Sequence, residues 1–435
     1  MFAKLTYSSF VYLILSVVLF CPTATGQTAP ASISDFTVLD SVFAASQPVT
    51  ENTGNAVLES YKEASAKVNW QAIPGMSVVS TKTYAIPPGI SMQVILKSYE
   101  LGEKSLLFIS TENAEEFQRM TQTDLENYSG KSAYFRSGKL IISVLKVGDE
   151  SPAVEVEKLR ILNNHRVEVL TLKNPESLDD MRIMMAMDDI KARGLSADPE
   201  TLCGADDRSR SSDSRVGRLM PVGCTGWLIQ NDLALSAGHC VGSMDIIEFQ
   251  VPDSTGSGAT QPASVNDQYP IIKSTMESED GGIGNDWVVF KIGPNSNTGK
   301  LPGVAQGGHF KLSQSARPMK AIVTGYGVDN EPVGTSDGRN SDNQTQQTEN
   351  GMGDAKAKFF DNNGSSFFRY RIDTRGGNSG SPVIIEGNPD TAIAIHTHGG
   401  CAAGSDGNHG TSASNADLRS AIKKFVKDLS KVYID

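Results

Sequence analysis

Three short runs, in a fixed chain order, constrain this sequence more than its composition does. "LSAGHC" ends at Cys240, "GNDWVVFKI" starts at Gly284, and "RGGNSGSP" closes at Pro382. They supply, in turn, an imidazole at His239, a carboxylate at Asp286 and a hydroxyl at Ser379. A serine hydroxyl is a poor nucleophile near neutral pH, so a neutral imidazole must take its proton, and the imidazolium formed needs a buried anion on its other nitrogen. Asp286 opens the apolar run Trp287-Val288-Val289-Phe290, which reads as a strand able to keep it covered. Gly376, Gly377 and Gly380 let the backbone turn tightly around Ser379, so the N–H groups of Gly377 and Ser379 can converge on one oxyanion. Taken singly, each run has a plain structural explanation as a packed histidine, a turn aspartate or a glycine loop. Together they carry a common chemistry.

The order of the three excludes two alternatives. Subtilisin-like enzymes run Asp, His, Ser, and α/β-hydrolases run Ser, acid, His. The run Gly377-Asn378-Ser379-Gly380-Ser381 also lacks the second glycine of a nucleophile elbow. What remains resembles the chymotrypsin-fold serine proteases. That resemblance implies an all-β catalytic part of two six-stranded antiparallel β-barrels with a C-terminal helix. It also implies a serine endopeptidase working through an acyl-enzyme, with His239, Asp286 and Ser379 catalytic and Gly377 and Ser379 as the oxyanion hole.

The N-terminus carries Lys4, an apolar run from Phe10 to Cys21 and then Ala24-Thr25-Gly26. This reads as a secretory signal peptide cut after Gly26, too short to span a membrane. Phe20 before Cys21 makes a poor lipoprotein acceptor, so a soluble secreted product is expected. Residues 27 to about 75, rich in Ala, Ser, Thr and Pro, read as a flexible lead-in. From Met76 to about Lys173, short β-type runs separated by turn residues predict a small β-rich domain, and 175–198 reads as helical or a linker. The domain plan is therefore 1–26 signal peptide, 27–200 propeptide with the β-rich domain, and 201–435 protease domain. The resemblance implies a zymogen, so a propeptide is the simplest role for 27–200 and an accessory domain retained in the active protein is the alternative; activation is placed between Gly194 and Leu202, with tryptic alternatives at Arg208, Arg210, Arg215 and Arg218.

Without Cys21, four cysteines remain in an oxidising compartment, open to three pairings. The resemblance implies Cys224–Cys240 across the histidine loop, and with it Cys203–Cys401. Strands are expected at 227–229, 233–236, 245–251, 268–273, 286–292, 319–326, 355–360, 367–372, 381–386 and 391–397, with a polar surface loop over Val328 to Gly353. The tail from Ser414 reads as a helix opened by a Ser414/Asp417 capping box.

The net charge of −11 and the absence of a basic stripe argue against nucleic acid. The expected partners are protein or peptide substrates, met by a monomer with no membrane attachment once the signal is gone. No cofactor and no metal are implied: His309, His396, His398 and His409 form no zinc pattern, and Glu277-Ser278-Glu279-Asp280 reads as a solvated loop. Asn127, Asn343 and Asn363 would be glycosylated only in a host that does so.

By the resemblance, the pocket for the residue before the scissile bond is built from Asp373, Thr374 and the strand with His396, Thr397 and His398. An Asp373 pointing inward would select Arg or Lys. His396 with the Thr374 hydroxyl would instead bind a carboxylate, as in the bacterial glutamyl endopeptidases that the "GGNSGSPV" and "IHTHGG" runs resemble most. Cleavage after Glu or Asp is the expectation; trypsin-like cleavage and a catalytically silent binding homologue are the alternatives.

Overall fold

The computed structural model describes residues 50–71, 73–86, 91–136, 138–163, 166–171, 182–184, 202–255, 260–314, 319–328, 344–360, 366–401 and 407–435. The expected signal peptide and most of the span holding the expected activation cut lie outside the described residues.

Helix α1 (Glu51–Val68) opens the N-terminal part, with Thr50 and Thr53 capping each other reciprocally. Val57, Tyr61 and Ala64 recur at helical spacing and pack on Leu106, Phe108 and Leu145. This corrects the flexible lead-in over 51–68: the Ala/Ser/Thr-rich composition masked an apolar stripe that also includes Leu58 and Val68. Residues 27–49 lie outside the described residues.

The β-rich domain follows as β1 (Met76–Ile86), β2 (Ser91–Glu100), β3 (Leu106–Thr111), β4 (Phe117–Met120), helix α2 (Gln122–Asn127), β5 (Lys131–Phe135), β6 (Gly138–Val147), β7 (Ala153–Asn163), β8 (Arg166–Thr171) and β9 (Arg182–Met184). They form a four-stranded sheet in the order β1-β6-β3-β4 and a five-stranded sheet in the order β5-β2-β7-β8-β9. Strand β9 corrects the helical or linker reading at 182–184. Its Val169↔Met184 and Thr171↔Arg182 register fills the edge left open by β8, a tertiary pairing that outweighs local helix preference.

The catalytic half begins with β10 (Ser209–Arg210), β11 (Val216–Pro221), β12 (Thr225–Leu228), β13 (Leu233–Ser236), β14 (Met244–Glu248), β15 (Gln268–Asp280) and β16 (Asp286–Ile292). Six of these close into a barrel in the order β11-β12-β13-β16-β15-β14. Its filling includes Leu219, Leu228, Met244, Ile247, Phe249, Tyr269 and Phe290, side chains supplied by alternation along short strands. The acidic run 277–280 is the end of β15 rather than a loop, paired to β16 and held by a 2.8 Å Lys424–Glu277 ion pair.

The rest is β17 (Lys311–Leu312), β18 (Met319–Gly325), β19 (Gln347–Phe360), β20 (Ser366–Arg371), β21 (Pro382–Ile385), β22 (Asn388–His398) and β23 (Asn408–Ser412). A second ring runs β19-β18-β21-β22-β23-β20 and is closed by the β20–β19 pairing. The expected loop over 328–353 therefore ends early: from Gln347 its polar residues pair with β18, because a barrel strand takes its order from its neighbours' backbone as much as from its own side chains. Strand β23 was absent from the sequence reading for the same reason.

Helix α3 (Ala416–Phe425) closes the fold, and Asn415 rather than Ser414 is its cap, accepting from the N–H groups of Asp417 and Leu418. Leu418, Ala421 and Ile422 bury one face alongside Tyr433 and Ile395.

Two of the arginines named as tryptic sites are buried. Arg208 is 5% exposed and Arg218 1%, the latter inside β11 with its Nε 2.7 Å from Glu248 Oε1. Glu248 Oε2 accepts from the Ala263 N–H at 2.7 Å. Removing the acid strands a guanidinium in the barrel, so Glu248→Ala is expected to lose about 3–5 kcal/mol of stability. Urea unfolding measures it, and a loss under about 1 kcal/mol would contradict a role in the core.

Candidate active site

The short turn Gly238–Ser243 follows β13 and carries His239, while Asp286 is the first residue of β16. Because β13 and β16 are paired neighbours, the imidazole and the carboxylate meet at one end of the barrel. His239 Nδ1 lies 2.6 Å from Asp286 Oδ2. The other oxygen, Oδ1, accepts from the backbone N–H of Gly238 at 2.5 Å and of His239 at 3.1 Å. Asp286 is fully buried, so these donors take the place of water for a charge that burial would otherwise penalise heavily. Gly238 is required there, since a Cβ would collide with the Glu279 carbonyl.

From the second barrel, the turn before β21 brings Ser379 Oγ to 2.8 Å from His239 Nε2. Thr225 in β12 fixes this turn: its N–H donates to the Ser379 carbonyl at 2.8 Å and its hydroxyl to the Gly377 carbonyl at 2.8 Å. Trp227 Nε1 adds a 2.9 Å bond to the Gly380 carbonyl. Gly380 sits at φ +90°, where a side chain would meet Thr225 O, so the close approach and the left-handed backbone both call for glycine. Gly377, at φ 102°, has an N–H that no carbonyl among the described residues accepts.

Thr411 in β23 ties Asp286 to the second barrel, its hydroxyl donating to Asp286 O at 2.8 Å and accepting from Asp286 N at 3.1 Å. Neither Thr225 nor Thr411 was legible as part of the site, because a threonine in a strand carries no local signal of a partner more than a hundred residues away.

Both cysteine pairs are bonded, Cys224–Cys240 beneath the histidine turn and Cys203–Cys401 between the start of the catalytic half and the segment after β22.

The expected pocket residues are gathered but not equivalent. Asp373 Oδ1 accepts from the Cys203 N–H at 2.6 Å and Oδ2 from the Asp207 N–H at 3.1 Å, so both oxygens are engaged by the incoming N-terminal segment. Thr374 and His396 are fully buried. Asn408, unforeseen in the sequence, donates to Thr374 Oγ1 at 3.0 Å and accepts from the Gly400 N–H at 2.8 Å. The Tyr370 hydroxyl is 2.5 Å from His396 Nδ1. Thr397 is 1% exposed, with its hydroxyl 2.9 Å from His398 Nδ1. His398 stands edge-on to His239 with ring centroids 6.2 Å apart and reaches 3.9 Å from Asp286 Oδ2. Burial holds the His398 pKa below the usual histidine value, against the pull of Asp286.

Among the described residues, Cys224, His239 and Cys240 place potential metal-ligand atoms within 4.8 Å of one another. The donor set does not fit a metal, because both sulfurs are joined in a disulfide and His239 already spans Asp286 and Ser379.

Glu349 accepts the Asp373 N–H, and its pKa is pushed up to about 7, first by burial and then by the Asp373 charge. An acid whose folded pKa stands above its ordinary 4.5 stabilises the fold while protonated and loses that contribution as pH rises toward 7. Glu349→Gln keeps the acceptor without the charge. Its melting temperature relative to the parent should therefore rise between pH 5 and pH 8, and a constant difference across that range would contradict the cause given.

Residues 204–417 match the family model described as Trypsin. The extracellular metalloprotease of Bacillus subtilis (strain 168) is 26% identical over 224 residues, 46% of this chain and 64% of that protein, so the chain spans less than two thirds of that relative's length. Among solved structures, a Glu endopeptidase in complex with MPD is 18% identical, covering 52% of this chain and 99% of that one at a TM-score of 0.39. Protease Anisep from Arthrobacter nicotinovorans is 14% identical, covering 51% and 100%, at a TM-score of 0.36.

Proposed function

We propose, from the premise that residues 204–417 form a trypsin-family domain, that the protein is a secreted serine endopeptidase using His239, Asp286 and Ser379. The observation that carries this reading is the unbroken series of contacts from Asp286 Oδ2 through His239 to Ser379 Oγ, at 2.6 and 2.8 Å. Ser379 Oγ attacks the scissile carbonyl while His239 Nε2 takes its proton, and the buried Asp286 keeps the proton of Nδ1 in place and balances the imidazolium. The N–H groups of Gly377 and Ser379 receive the oxyanion. His239 then gives its proton to the leaving amine, and a water, activated by the same imidazole, releases the acyl group.

The finer reading is cleavage after Glu or Asp. Asp373, the group that would select Arg or Lys, has both oxygens occupied by backbone N–H groups. The base of the proposed pocket offers polar groups suited to an acidic side chain instead: the Thr374 hydroxyl, whose oxygen accepts from the Asn408 amide, and the His396 imidazole buttressed by Tyr370. Like charges about 4 Å apart cost roughly 4 kcal/mol at an effective dielectric near 20, so turning Asp373 away is a condition for this specificity. We also read residues 1–26 as an export signal and the N-terminal part as a prosegment, cut before Cys203 so that the disulfide to Cys401 does not retain it.

Ser379→Ala should lower turnover about 10⁶-fold if the three residues act as a unit. Asp286→Asn should cost about 10⁴-fold in kcat through loss of the correct tautomer. Labelling of the parent, but not of Ser379→Ala, by an organofluorophosphate separates an enzyme from a silent homologue. Peptides varied only at the residue before the cut test the specificity: turnover of Arg or Lys peptides with none for Glu would overturn the acidic preference and leave the catalytic reading intact.

A further inference from the structure

The contacts between the N-terminal β domain and the catalytic half gather away from the three site residues. They fall on Asp245 in β14, Gln268 in β15, and Ser296 and Asn297 in the loop after β16. His239, Asp286 and Ser379 come from the turn after β13, the start of β16 and the turn before β21.

At Asp245, a carboxylate 5% exposed, one oxygen is 2.6 Å from Lys131 Nζ and the other 2.7 Å from Arg160 Nη1, both contributed by the N-terminal domain. Lys273 of β15 approaches the first oxygen at 2.5 Å. Burial raises the pKa of this acid, yet Lys131 and Arg160 outweigh it and hold the group well below the usual carboxylate range. It therefore remains ionised at any pH near neutral. Gln268, fully buried, imitates a strand partner: its Oε1 accepts from the Tyr134 N–H at 2.7 Å and its Nε2 donates to the Tyr134 carbonyl at 2.8 Å. The Tyr128 hydroxyl donates to the Gln268 carbonyl at 3.1 Å. Asn297 accepts from the Arg119 N–H at 2.9 Å and donates to the Phe117 carbonyl at 2.7 Å, and Trp70 Nε1 donates to the Asn297 carbonyl at 2.5 Å.

A desolvated carboxylate with each oxygen paired to a separate cation, with buried Tyr anchors and a half-buried Trp around it, has the features that carry affinity in separable interfaces. A segment meant only to reach across the cleft would need none of them here. We propose that residues 50–171 are a lasting subunit of this protein: after the chain is cut between the two parts, the N-terminal domain stays bound to the first barrel through Asp245, Gln268 and Asn297. The surface formed by these three residues is thus a docking site, and its partner is the N-terminal domain of the same chain.

The test uses full-length protein carrying Ser379→Ala, so that no self-cleavage intervenes and the result does not depend on the catalytic reading. A recognition sequence for a sequence-specific protease is inserted after residue 190 and cut to completion. No disulfide among the described residues joins the two products, since Cys203 pairs with Cys401. Size-exclusion chromatography at physiological salt should return one species containing both fragments in equal amounts. Lys131→Gln with Arg160→Gln should weaken the association at least tenfold on dilution, and Asp245→Asn on the opposite side should do the same. Separate elution of the unmutated fragments would overturn the proposal. So would unchanged affinity in both variants. If the double variant fails to fold, Asp245→Asn alone decides, and if neither folds, elution of the unmutated fragments does.

Discussion

The Asp286 carboxylate is the constraint on which the arrangement of the site depends. A fully buried anion must be neutralised by what surrounds it, and here every donor is a structural commitment. The N–H groups of Gly238 and His239 reach it only if the chain turns immediately after β13, and the His239 ring reaches it only if β13 and β16 are neighbours in register. Thr411 then draws the second barrel onto the same residue through its main chain. One acid therefore sets the orientation of the imidazole, the shape of the histidine turn and the approach of the two barrels.

Ser379, the proposed nucleophile, is fixed by a second set of contacts that has nothing to do with its hydroxyl. Thr225 and Trp227 of β12 bond to the carbonyls of Gly377, Ser379 and Gly380, so the Ser379 backbone is held by the first barrel although the serine belongs to the second. Ser379 Oγ meets His239 Nε2 at 2.8 Å without being needed to hold the turn. It also holds the turn in the conformation that Gly377 and Gly380 permit, with the Gly377 N–H taken by no described carbonyl. Preorganisation of this kind is worth more than the contacts themselves, because donors that are already aligned need not reorganise as charge develops.

The parts of this design that were legible in the sequence are those with a local signature. The three runs and their order gave His239, Asp286 and Ser379, and alternating apolar stretches gave most strands of both barrels. The parts that were not legible depend on distant partners. Gln347 to Glu349 looks like a polar loop until β18 is known to lie beside it. Val57, Leu58, Tyr61, Ala64 and Val68 make a helical stripe that an average over a Ser- and Thr-rich context hides, although they close one face of the N-terminal core. Thr225 and Thr411 each act through more than one hydrogen bond across the interbarrel boundary, and Asn408 through bonds within the second barrel, and no spacing rule marks them. Asp373 shows the limit from the other side: its position suggested the pocket, but which groups its two oxygens meet depends on the route taken by residues 203–207.

That route links specificity to the place where the catalytic half begins. Asp373 is held by the N–H groups of Cys203 and Asp207, and the disulfide to Cys401 keeps Cys203 from leaving. Glu349 lies against the same Asp373 and stays protonated up to about pH 7, so the two acids need not carry full charge together on the acidic side of neutrality. Above that pH Glu349 gains a charge beside Asp373, and the repulsion is opposed by backbone donors of a segment whose position the disulfide limits. If the segment yields, Asp373 becomes available to the presumed pocket and a bound acidic side chain would face an added negative charge. The covalent bridge therefore has two effects at once: it closes a span of 198 residues in the unfolded chain, and it holds in place the segment that engages Asp373.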